Sequence, residues 1–451
     1  MSEPKSVQYE QEAKASSLSA DVKAAAQKAK QVSVFMAATS NQVRNDALLA
    51  IGEALRANKD AIFEANLADL AAAREQNIAA PLIKRLCFDE AKLEDCISGL
   101  HDLVNMPDPL NQITRHTELA EGLVLRRVTC PIGVIGVIFE SRPEALVQIA
   151  TLCLKSGNAV LLKGGIEAQR TNRALYKAIA SASMTEGLLP DGWIHLLESR
   201  EEVSAILSMD DAIDLIIPRG SNAFVRYIMD NTNIPVLGHS SGVCHMYVDE
   251  TAQPEMAARL AVDGKTNYPA ACNAVETLLV NRDAHEALLA CARALQAAGV
   301  RLRTDENVFS VLNAAGIASE HLPKEDIGRE YGDLIINIIE VQDLDEAIAH
   351  INRYGSHHTD CIVTESDAHA ARFAALVDSA GVYRNCSTRF ADGYRYGFGA
   401  EVGISTGKIH ARGPMGLEGL CSYKYLLEGS GDCVADFASG SRTYTHVNLM
   451  K

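Results

Sequence analysis

One thiol stands out in this sequence because of the small residues around it. Cys272 lies in the segment 267–274 (NYPAACNA), just before an apolar run from Val275 to Val280. Small neighbours let a substrate approach the sulfur, and backbone N–H groups beside it can hold an oxyanion when a thiolate attacks a carbonyl. Most free cysteines are small buried hydrophobes, and the chain has eleven cysteines. Cys272 is therefore a candidate nucleophile whose support must come from the rest of the chain.

Length and composition limit the class of protein. The chain has 451 residues, of which 47% are hydrophobic, so it can fill two or three domain cores. Its net charge of −16 argues against nucleic acid and anionic membrane surfaces as partners. The scattered cysteines form no C-x-x-C pair, and neither an apolar leader nor a membrane-length apolar run is present. These features predict a reducing, cytoplasmic setting.

The elements that must position the thiol follow a βαβ pattern. Short apolar strands at 134–139, 159–163, 193–197 and 214–217 alternate with helical stretches, which predicts a parallel, doubly wound sheet. Ligands of such sheets bind at the carboxyl ends of the strands. The residues at these ends are small or cationic, as an anion requires: Arg142, Lys163, Gly164, Arg219, Gly220 and Ser221. No G-x-G-x-x-G follows the first strand, so a dinucleotide would have to bind in a variant way.

Two further regions complete the organisation of the chain. A second α/β unit begins near 262 and carries Cys272, and the stretch 382–419, rich in Gly, Arg and aromatics, is typical of loops that line a site. The stretch 119–129 predicts a hairpin with a Glu121-Gly122 turn. Its exposed ribbon would suit subunit pairing, so we expect a homo-oligomer.

The chain from about residue 25 to 430 resembles the aldehyde dehydrogenase superfamily. The likeness is carried by 134–143 (VIGVIFESRP), 215–220 (LIIPRG), the Cys272 segment and 403–416 (GISTGKIHARGPMG). It implies an α/β, aldehyde dehydrogenase-like fold, with a Rossmann-type cofactor domain, an α/β catalytic domain and a small β oligomerisation element.

The resemblance also implies domain boundaries. The NADP-binding domain would comprise 1–114 and 132–258, and the catalytic domain 259–408. The oligomerisation element would comprise 115–131 and 409–451.

The resemblance assigns roles to single residues. Cys272 matches the nucleophile, and Lys163, followed by Gly164, matches the strand-end lysine that holds the adenosine ribose. Gly220 and Ser221 match the start of the helix that faces the pyrophosphate, where free N–H groups attract phosphate. Glu330 resembles a residue that touches the nicotinamide ribose.

The choice of nicotinamide cofactor depends on one position after that lysine. NAD-preferring relatives often carry a glutamate three positions after it, where this chain has Ile166, with Glu167 one step further. The loss of a carboxylate relieves repulsion of a 2′-phosphate, so the resemblance favours NADPH/NADP.

Two departures from the superfamily pattern bear on the reaction. Hydrolytic members carry a glutamate that activates water against the thioester and a Trp-Asn pair that helps to hold the oxyanion. Here the first segment reads GHSS at 238–241 and the second reads ESRP at 140–143. A thioester without a neighbouring general base survives long enough to meet hydride or inorganic phosphate. Ser141 would supplement the backbone N–H of Cys272.

The implied reaction is therefore the reduction of an acyl phosphate. The resemblance implies NADPH-dependent conversion of L-glutamate 5-phosphate to L-glutamate 5-semialdehyde in proline biosynthesis. Phosphate would be released through a thioacyl enzyme on Cys272.

The substrate would require cationic groups at both ends. One group must neutralise a phosphate dianion and another must grip an amino-acid carboxylate, and the fork of arginine suits both. Each such arginine has the alternative of a surface ion pair. The candidates that lie beside Gly-rich turns or in the loop before Arg389 are Arg142, Arg219, Arg389, Arg412, Asn385, Ser387 and Thr388.

A metal site is not expected. His357 and His358 are adjacent in sequence, so their side chains point apart, and no further ligand spacing follows.

Two other functions remain open at this stage. One is a hydrolytic, NAD(P)-dependent aldehyde dehydrogenase acting on a small aldehyde, and the other is a scaffold that kept the fold without activity. The sequence also leaves open whether glutamate 5-kinase docks on this protein to deliver its product.

Overall fold

The computed structural model describes residues 5–140, 142–238 and 241–450, and the chain divides into two compact units. The first unit comprises Met1–Leu237, Phe398–Gly403 and Met415–Lys451, and the second comprises Gly238–Gly397 and Ile404–Pro414. Among the described residues, no helix has the length and apolar character needed to cross a membrane.

Five helices open the first unit, and their apolar residues recur at helical spacing. In the second of them Ala47, Leu48, Ile51 and Leu55 form one buried stripe, and the Ser40 side chain caps it by accepting from the Val43 N–H at 3.3 Å. The five helices are α1 Lys5–Ala38, α2 Asn41–Ala57, α3 Lys59–Glu75, α4 Ala80–Leu86 and α5 Glu90–Asn105.

A four-stranded parallel sheet forms the centre of the first unit. Its strand order is β5-β4-β3-β6, and every residue of β3, β4 and β6 is buried, as strands covered on both faces require. Its strands and helices are β3 Val134–Ile138, α6 Pro143–Lys155, β4 Ala159–Lys163, α7 Gln169–Met184, β5 Ile194–Leu197, α8 Arg200–Ile206, β6 Leu215–Pro218 and α9 Asn222–Asp230. The predicted parallel α/β architecture is confirmed.

The first unit also carries an antiparallel sheet. The predicted hairpin is present, with Gly122 in the turn at φ 74°, a conformation that glycine adopts without strain. The strand order is β16-β2-β1-β17, and the edge strand β16 is exposed after its first residue. Its elements are β1 Ile113–Ala120, β2 Leu123–Pro131, β16 Cys421–Glu428, a short helix α15 Val434–Ala438 and β17 Val447–Asn448.

The second unit is built on a seven-stranded parallel sheet. Its order is β10-β9-β11-β8-β7-β12-β13, so β8, which follows the Cys272 loop, lies at the centre. Its elements are β7 Cys244–Val248, α10 Pro254–Thr266, β8 Val275–Asn281, α11 His285–Ala297, β9 Arg301–Thr304, α12 Glu306–Ala314, β10 Glu320–His321, β11 Ile335–Val341, α13 Leu344–Tyr354, β12 Thr359–Val363, α14 Asp367–Leu376 and β13 Gly381–Arg384. Two further short strands, β14 Gly403–Ser405 and β15 Gly413–Met415, pair with each other.

The compact units part at a different residue from the expected domain boundary at 258. The division falls at Leu237–Gly238, because β7 pairs with both β8 and β12 and so belongs to the second sheet. The prediction from sequence began the second α/β unit near 262 and so left out β7, every residue of which is buried.

Candidate active site

Cys272 lies in the loop that joins α10 to the central strand β8, and its side chain is half-buried. The loop is a pair of consecutive turns. The Ala271 N–H donates to the Tyr268 carbonyl at 3.1 Å, and the Ala274 N–H donates to the Ala271 carbonyl at 2.9 Å. These turns hold the thiol at the amino end of β8.

Burial separates Cys272 from most other cysteines of the second unit. Desolvation raises the pKa of Cys291 and of Cys361 to about 12 and raises that of Cys244 well above its usual range. A thiol with such a pKa stays protonated at neutral pH and is a poor nucleophile. Cys386 is half-buried, and desolvation raises its pKa as well.

Side chains behind the loop fix the backbone on both sides of the thiol. The Thr388 hydroxyl donates to the Asn273 carbonyl at 2.7 Å, and the Asn273 amide nitrogen donates to the Ala391 carbonyl at 2.8 Å. The Cys244 thiol donates to the Cys272 carbonyl at 3.3 Å. The loop is therefore anchored at the nucleophile and at the residue after it.

Gly242 lies directly against the nucleophile. A Cβ at this position would fall 2.4 Å from the Cys272 carbonyl oxygen and 2.5 Å from its Cα. Both distances are far inside van der Waals contact, so only glycine lets the chain pass here. No signal in the sequence distinguished Gly242 from the other glycines.

A buried ion pair joins the two ends of the loop. Lys265, in the last turn of α10, donates through Nζ to Glu276 Oε2 at 2.7 Å, and both side chains are fully buried. Glu276, the second residue of β8, also accepts from the Gly332 N–H at 3.3 Å. Desolvation raises the pKa of Glu276 to about 7 and lowers that of Lys265. Neither Lys265 nor Glu276 was among the residues predicted from the sequence.

Arg389 is a predicted substrate residue that contacts the Cys272 loop. Its Nε donates to the Asn267 side chain at 3.3 Å, at the start of the Cys272 loop. Burial and then the charge of Arg395 lower the pKa of Arg389, while Cys272 lies close enough to act in the opposite direction. A guanidinium therefore lies within electrostatic reach of the nucleophile.

The polar residues before Arg389 hold loops together. Thr388 is buried against the Cys272 loop, and the Ser387 hydroxyl accepts from the Arg389 N–H at 3.3 Å. Asn385, at φ 54°, binds the Thr364 N–H and the Thr364 carbonyl through the two ends of its amide, each at 2.9 Å. These contacts favour a positioning role over the substrate contact that we expected.

Arg412 lies in a different cluster of the second unit. Its Nη2 donates to the Asp378 carbonyl and to Asp378 Oδ1, both at 3.1 Å, and Lys408 pairs with Oδ2 of the same carboxylate at 2.6 Å. The surface ion pair that the sequence left open for each arginine is thus observed at Arg412. Glu330 is half-buried, and its contact with the nicotinamide ribose stays a prediction.

The residues predicted to bind an anion lie at the strand ends of the first unit. Lys163 ends β4, is buried, and donates to the Gly164 carbonyl. Gly220, at φ 157°, precedes α9, and the Ser221 hydroxyl caps that helix by accepting from the Phe224 N–H at 3.4 Å.

Arg142 and Arg219 line one cavity of the first unit. Arg142 is the N-cap residue of α6, and Arg219 follows β6, where it lies 3.7 Å from Glu401. Ser141, expected to assist with the oxyanion, lies outside the described residues, as do two residues of the segment in which the water-activating glutamate is missing, His239 and Ser240.

One group of the described residues has ligand atoms close enough for a metal ion. Asp249, Glu250 and His369 lie within 4.8 Å of one another. The Asp249 carboxylate already accepts from Thr251 and Thr364, both at 2.7 Å, and from His369. We therefore describe this group as a hydrogen-bonded network.

Comparisons with known proteins agree with this fold. The model of the aldehyde dehydrogenase family matches residues 6–309. A gamma-glutamyl phosphate reductase of Pelotomaculum thermopropionicum is 53% identical over 432 residues, which cover 96% of this chain and 98% of the relative. One from Methanosarcina mazei is 48% identical and covers 95% and 98%. The crystal structure of gamma-glutamyl phosphate reductase from Thermotoga maritima superposes with a TM-score of 0.88 at 35% identity, covering 91% and 99%.

Proposed function

Because the chain belongs to the aldehyde dehydrogenase family, we propose that it reduces L-glutamate 5-phosphate to L-glutamate 5-semialdehyde, with release of phosphate, in proline biosynthesis. The observation that carries the proposal is the anchored, half-buried thiol of Cys272 with a guanidinium in electrostatic reach. The names of relatives near 50% identity supply the substrate.

The acyl chemistry belongs to the second unit. The Cys272 thiolate attacks the acyl-phosphate carbon, an S–C bond forms, and the C–O bond to phosphate breaks. Hydride adds to the thioester carbon, and the resulting thiohemiacetal oxyanion collapses, releasing the aldehyde and the thiolate. Phosphate is a good leaving group, so the protein contributes mainly positioning and charge stabilisation. We assign that charge to Arg389, whose Nε donates to Asn267 at the start of the Cys272 loop.

The first unit fits a nicotinamide dinucleotide. The N-terminus of α9, preceded by Gly220 and Ser221, would hold the pyrophosphate, and Lys163 would hold the adenosine ribose. NADPH, when bound, supplies the hydride.

The choice of NADP over NAD rests on the turn after β4. Exposed Ile166 occupies the position where NAD-preferring relatives carry glutamate, and the carboxylate of Glu167 lies over Gly165. A ratio of kcat/KM for the two cofactors that favours NAD would overturn this part of the proposal.

The assignment of domains and partners follows from the same proposal. The parallel sheet of the first unit would be the cofactor domain, and the second unit would be the catalytic domain. The antiparallel sheet would be the oligomerisation element of a homo-oligomer, since its edge strand β16 exposes Tyr423, Tyr425 and Leu427. We place the protein in the cytoplasm and leave a contact with glutamate 5-kinase as a proposal.

The reverse reaction tests the function. Purified protein with glutamate semialdehyde and NADP should form NADPH only when phosphate or arsenate is present, because the sequence carries no glutamate at the water-activating position. Equal rates without phosphate would support the hydrolytic alternative. No turnover under either condition would support the scaffold alternative.

A further inference from the structure

A second arginine lies beside Arg389 in the loop that follows β13. Arg395 was not among the residues predicted from the sequence, and its Nη1 donates to the Arg389 carbonyl oxygen. It is exposed and belongs to the second unit, together with Arg389 and Cys272. The guanidinium of Arg395 therefore lies on the segment of chain that contacts the Cys272 loop.

A compact turn holds Arg395 in this place. The Asp392 carboxylate accepts from the Tyr394 N–H at 3.0 Å and from the Arg395 N–H at 3.2 Å. The Tyr396 N–H donates to the Asp392 carbonyl at 3.0 Å, and the Tyr396 hydroxyl is hydrogen-bonded to the Tyr383 hydroxyl of β13. The turn is thus tied to the sheet, and the Asp392 carboxylate is bound to backbone N–H groups.

Two hydrogen bonds fix the segment of Arg389 against the nucleophile. The Thr388 hydroxyl is bonded to the carbonyl of Asn273, the residue that follows Cys272. The Ala391 carbonyl is bonded to the Asn273 side chain. Arg389 lies between these two contacts in sequence, so its guanidinium starts from backbone that is held beside the thiol.

The hydrogen-bond partners of the two guanidinium groups are neutral. Arg412 of the same unit pairs with a carboxylate, whereas Arg389 and Arg395 bind the Asn267 side-chain oxygen and a backbone carbonyl. Burial and then the charge of Arg395 lower the pKa of Arg389, and this effect of Arg395 exceeds that of the nearby Asp392 carboxylate. Neighbouring like charges repel each other, so the two cations favour a bound anion.

We propose that Arg389 and Arg395 bind the phosphate group that leaves when Cys272 attacks the acyl phosphate. The electron pair of the broken C–O bond stays on the phosphate oxygen, where the two guanidinium groups neutralise it. Two arginine forks suit a phosphate dianion. The other end of the substrate carries a carboxylate and an ammonium group, and a second guanidinium would repel the ammonium. The inference rests on the proposed function and names the leaving-group site of that reaction.

The reverse reaction tests this site, because phosphate, glutamate semialdehyde and NADP can be varied one at a time. Arg395→Gln should raise KM for inorganic phosphate by about 10- to 100-fold, the effect of a lost charge-assisted hydrogen bond, and leave the other two KM values within about twofold. Arg395→Lys, which keeps the charge but loses the fork, should give a smaller rise. The matched control is Arg372→Gln, which removes an exposed arginine paired with Asp345 in the same unit and should behave as wild type.

Alkylation of Cys272 by iodoacetamide provides a second readout that does not depend on turnover. Inorganic phosphate should slow this alkylation in the wild type in a saturable manner, because a dianion bound beside the thiol disfavours the thiolate. The phosphate concentration that gives half-maximal protection should rise in Arg395→Gln by about the same factor as KM. Mass spectrometry of the peptide that contains Cys272 separates its reaction from that of the other cysteines.

Three outcomes would overturn the inference. A rise in KM for the semialdehyde alone would make the two arginines the site of the amino-acid carboxylate, and a rise in KM for NADP alone would make them part of the cofactor site. Equal protection by phosphate in wild type and Arg395→Gln would exclude the phosphate site, whatever the activity of the variant. In these cases wild-type activity still stands. A wild type without phosphate-dependent turnover would instead overturn the proposed function, and this inference with it.

Discussion

The two units carry their candidate site residues in different surroundings. In the first unit Arg142 and Arg219 lie at strand ends, exposed or half-buried, on a sheet that is complete without them. In the second unit the Cys272 loop depends on fully buried polar groups, above all Lys265 and Glu276. Substitution of a strand-end residue of the first unit should therefore cost little stability. Substitution of a buried residue that supports the Cys272 loop should disturb both the loop and the core.

The nucleophile itself should give the largest effect. Cys272→Ser should lower turnover by at least about 10³-fold, because a serine hydroxyl stays protonated at neutral pH where a thiol is partly ionised. NADP binding, measured by titration, and the unfolding midpoint should stay at wild-type values. Cys433→Ser, at an exposed cysteine, is the control and should keep full activity. Retention of more than a few per cent of activity in Cys272→Ser would remove Cys272 from this role.

The buried ion pair should show the greatest loss of stability. Lys265→Met leaves the Glu276 carboxylate without its cation and should destabilise the second unit by about 3–5 kcal/mol, whereas replacing both residues by methionine should restore much of the loss. Hydrogen exchange of the β8 amides reports on the second unit, and fluorescence of the single tryptophan, Trp193, reports on the first.

The two probes report the stability of the two units separately. Lys265→Met should lower protection of β8 and leave the Trp193 transition unchanged. The exposed pair Arg56–Glu94 serves as the control, and Arg56→Gln should leave both probes near their wild-type values. Equal losses in the two variants would mean that burial does not distinguish these pairs.

The close packing behind the nucleophile predicts a catalytic effect from one methyl group. Gly242→Ala should displace Cys272 and lower kcat about 10²-fold, since small misplacements of reacting groups have costs of that order. Gly407→Ala is the matched control, because its Cβ would meet the Ser405 hydroxyl at an ordinary 3.6 Å. A Gly242→Ala protein with wild-type kcat and wild-type alkylation of Cys272 would show that the loop tolerates movement.

The second unit should also lose stability in acid through a half-buried histidine. Desolvation, followed by the neighbouring His245 and Arg353, lowers the pKa of His350 to about 3. The unfolded chain therefore binds a proton below about pH 6.5 that the folded chain does not bind, so this contribution to stability falls as the pH falls.

Replacing His350 tests the predicted direction in which stability changes with pH. His350→Leu should remove about 1–2 kcal/mol of the stability difference between pH 7 and pH 5, measured by urea unfolding. An identical pH dependence in the variant would show that His350 does not titrate on unfolding. A steeper fall of stability with falling pH in the variant would contradict the prediction.

The sequence alone determined the class of fold and selected candidate site residues at its turns and strand ends. The βαβ alternation, the Lys163 and Gly220-Ser221 strand ends, and the thiol before β8 are local patterns, because a few neighbouring residues set the backbone and the chemistry together. The Glu121-Gly122 turn is also a local pattern that neighbouring residues set.

Tertiary structure decided which distant residues meet. Lys265 and Glu276 differ from ordinary charged residues only by burial, and Gly242 differs from other glycines only because Cys272 passes against it. Asn385 and Thr388 had suitable chemistry for a substrate, yet their hydrogen bonds go to Thr364 and Asn273. Such contacts depend on three-dimensional packing between segments far apart in the chain, and one sequence contains no record of that packing.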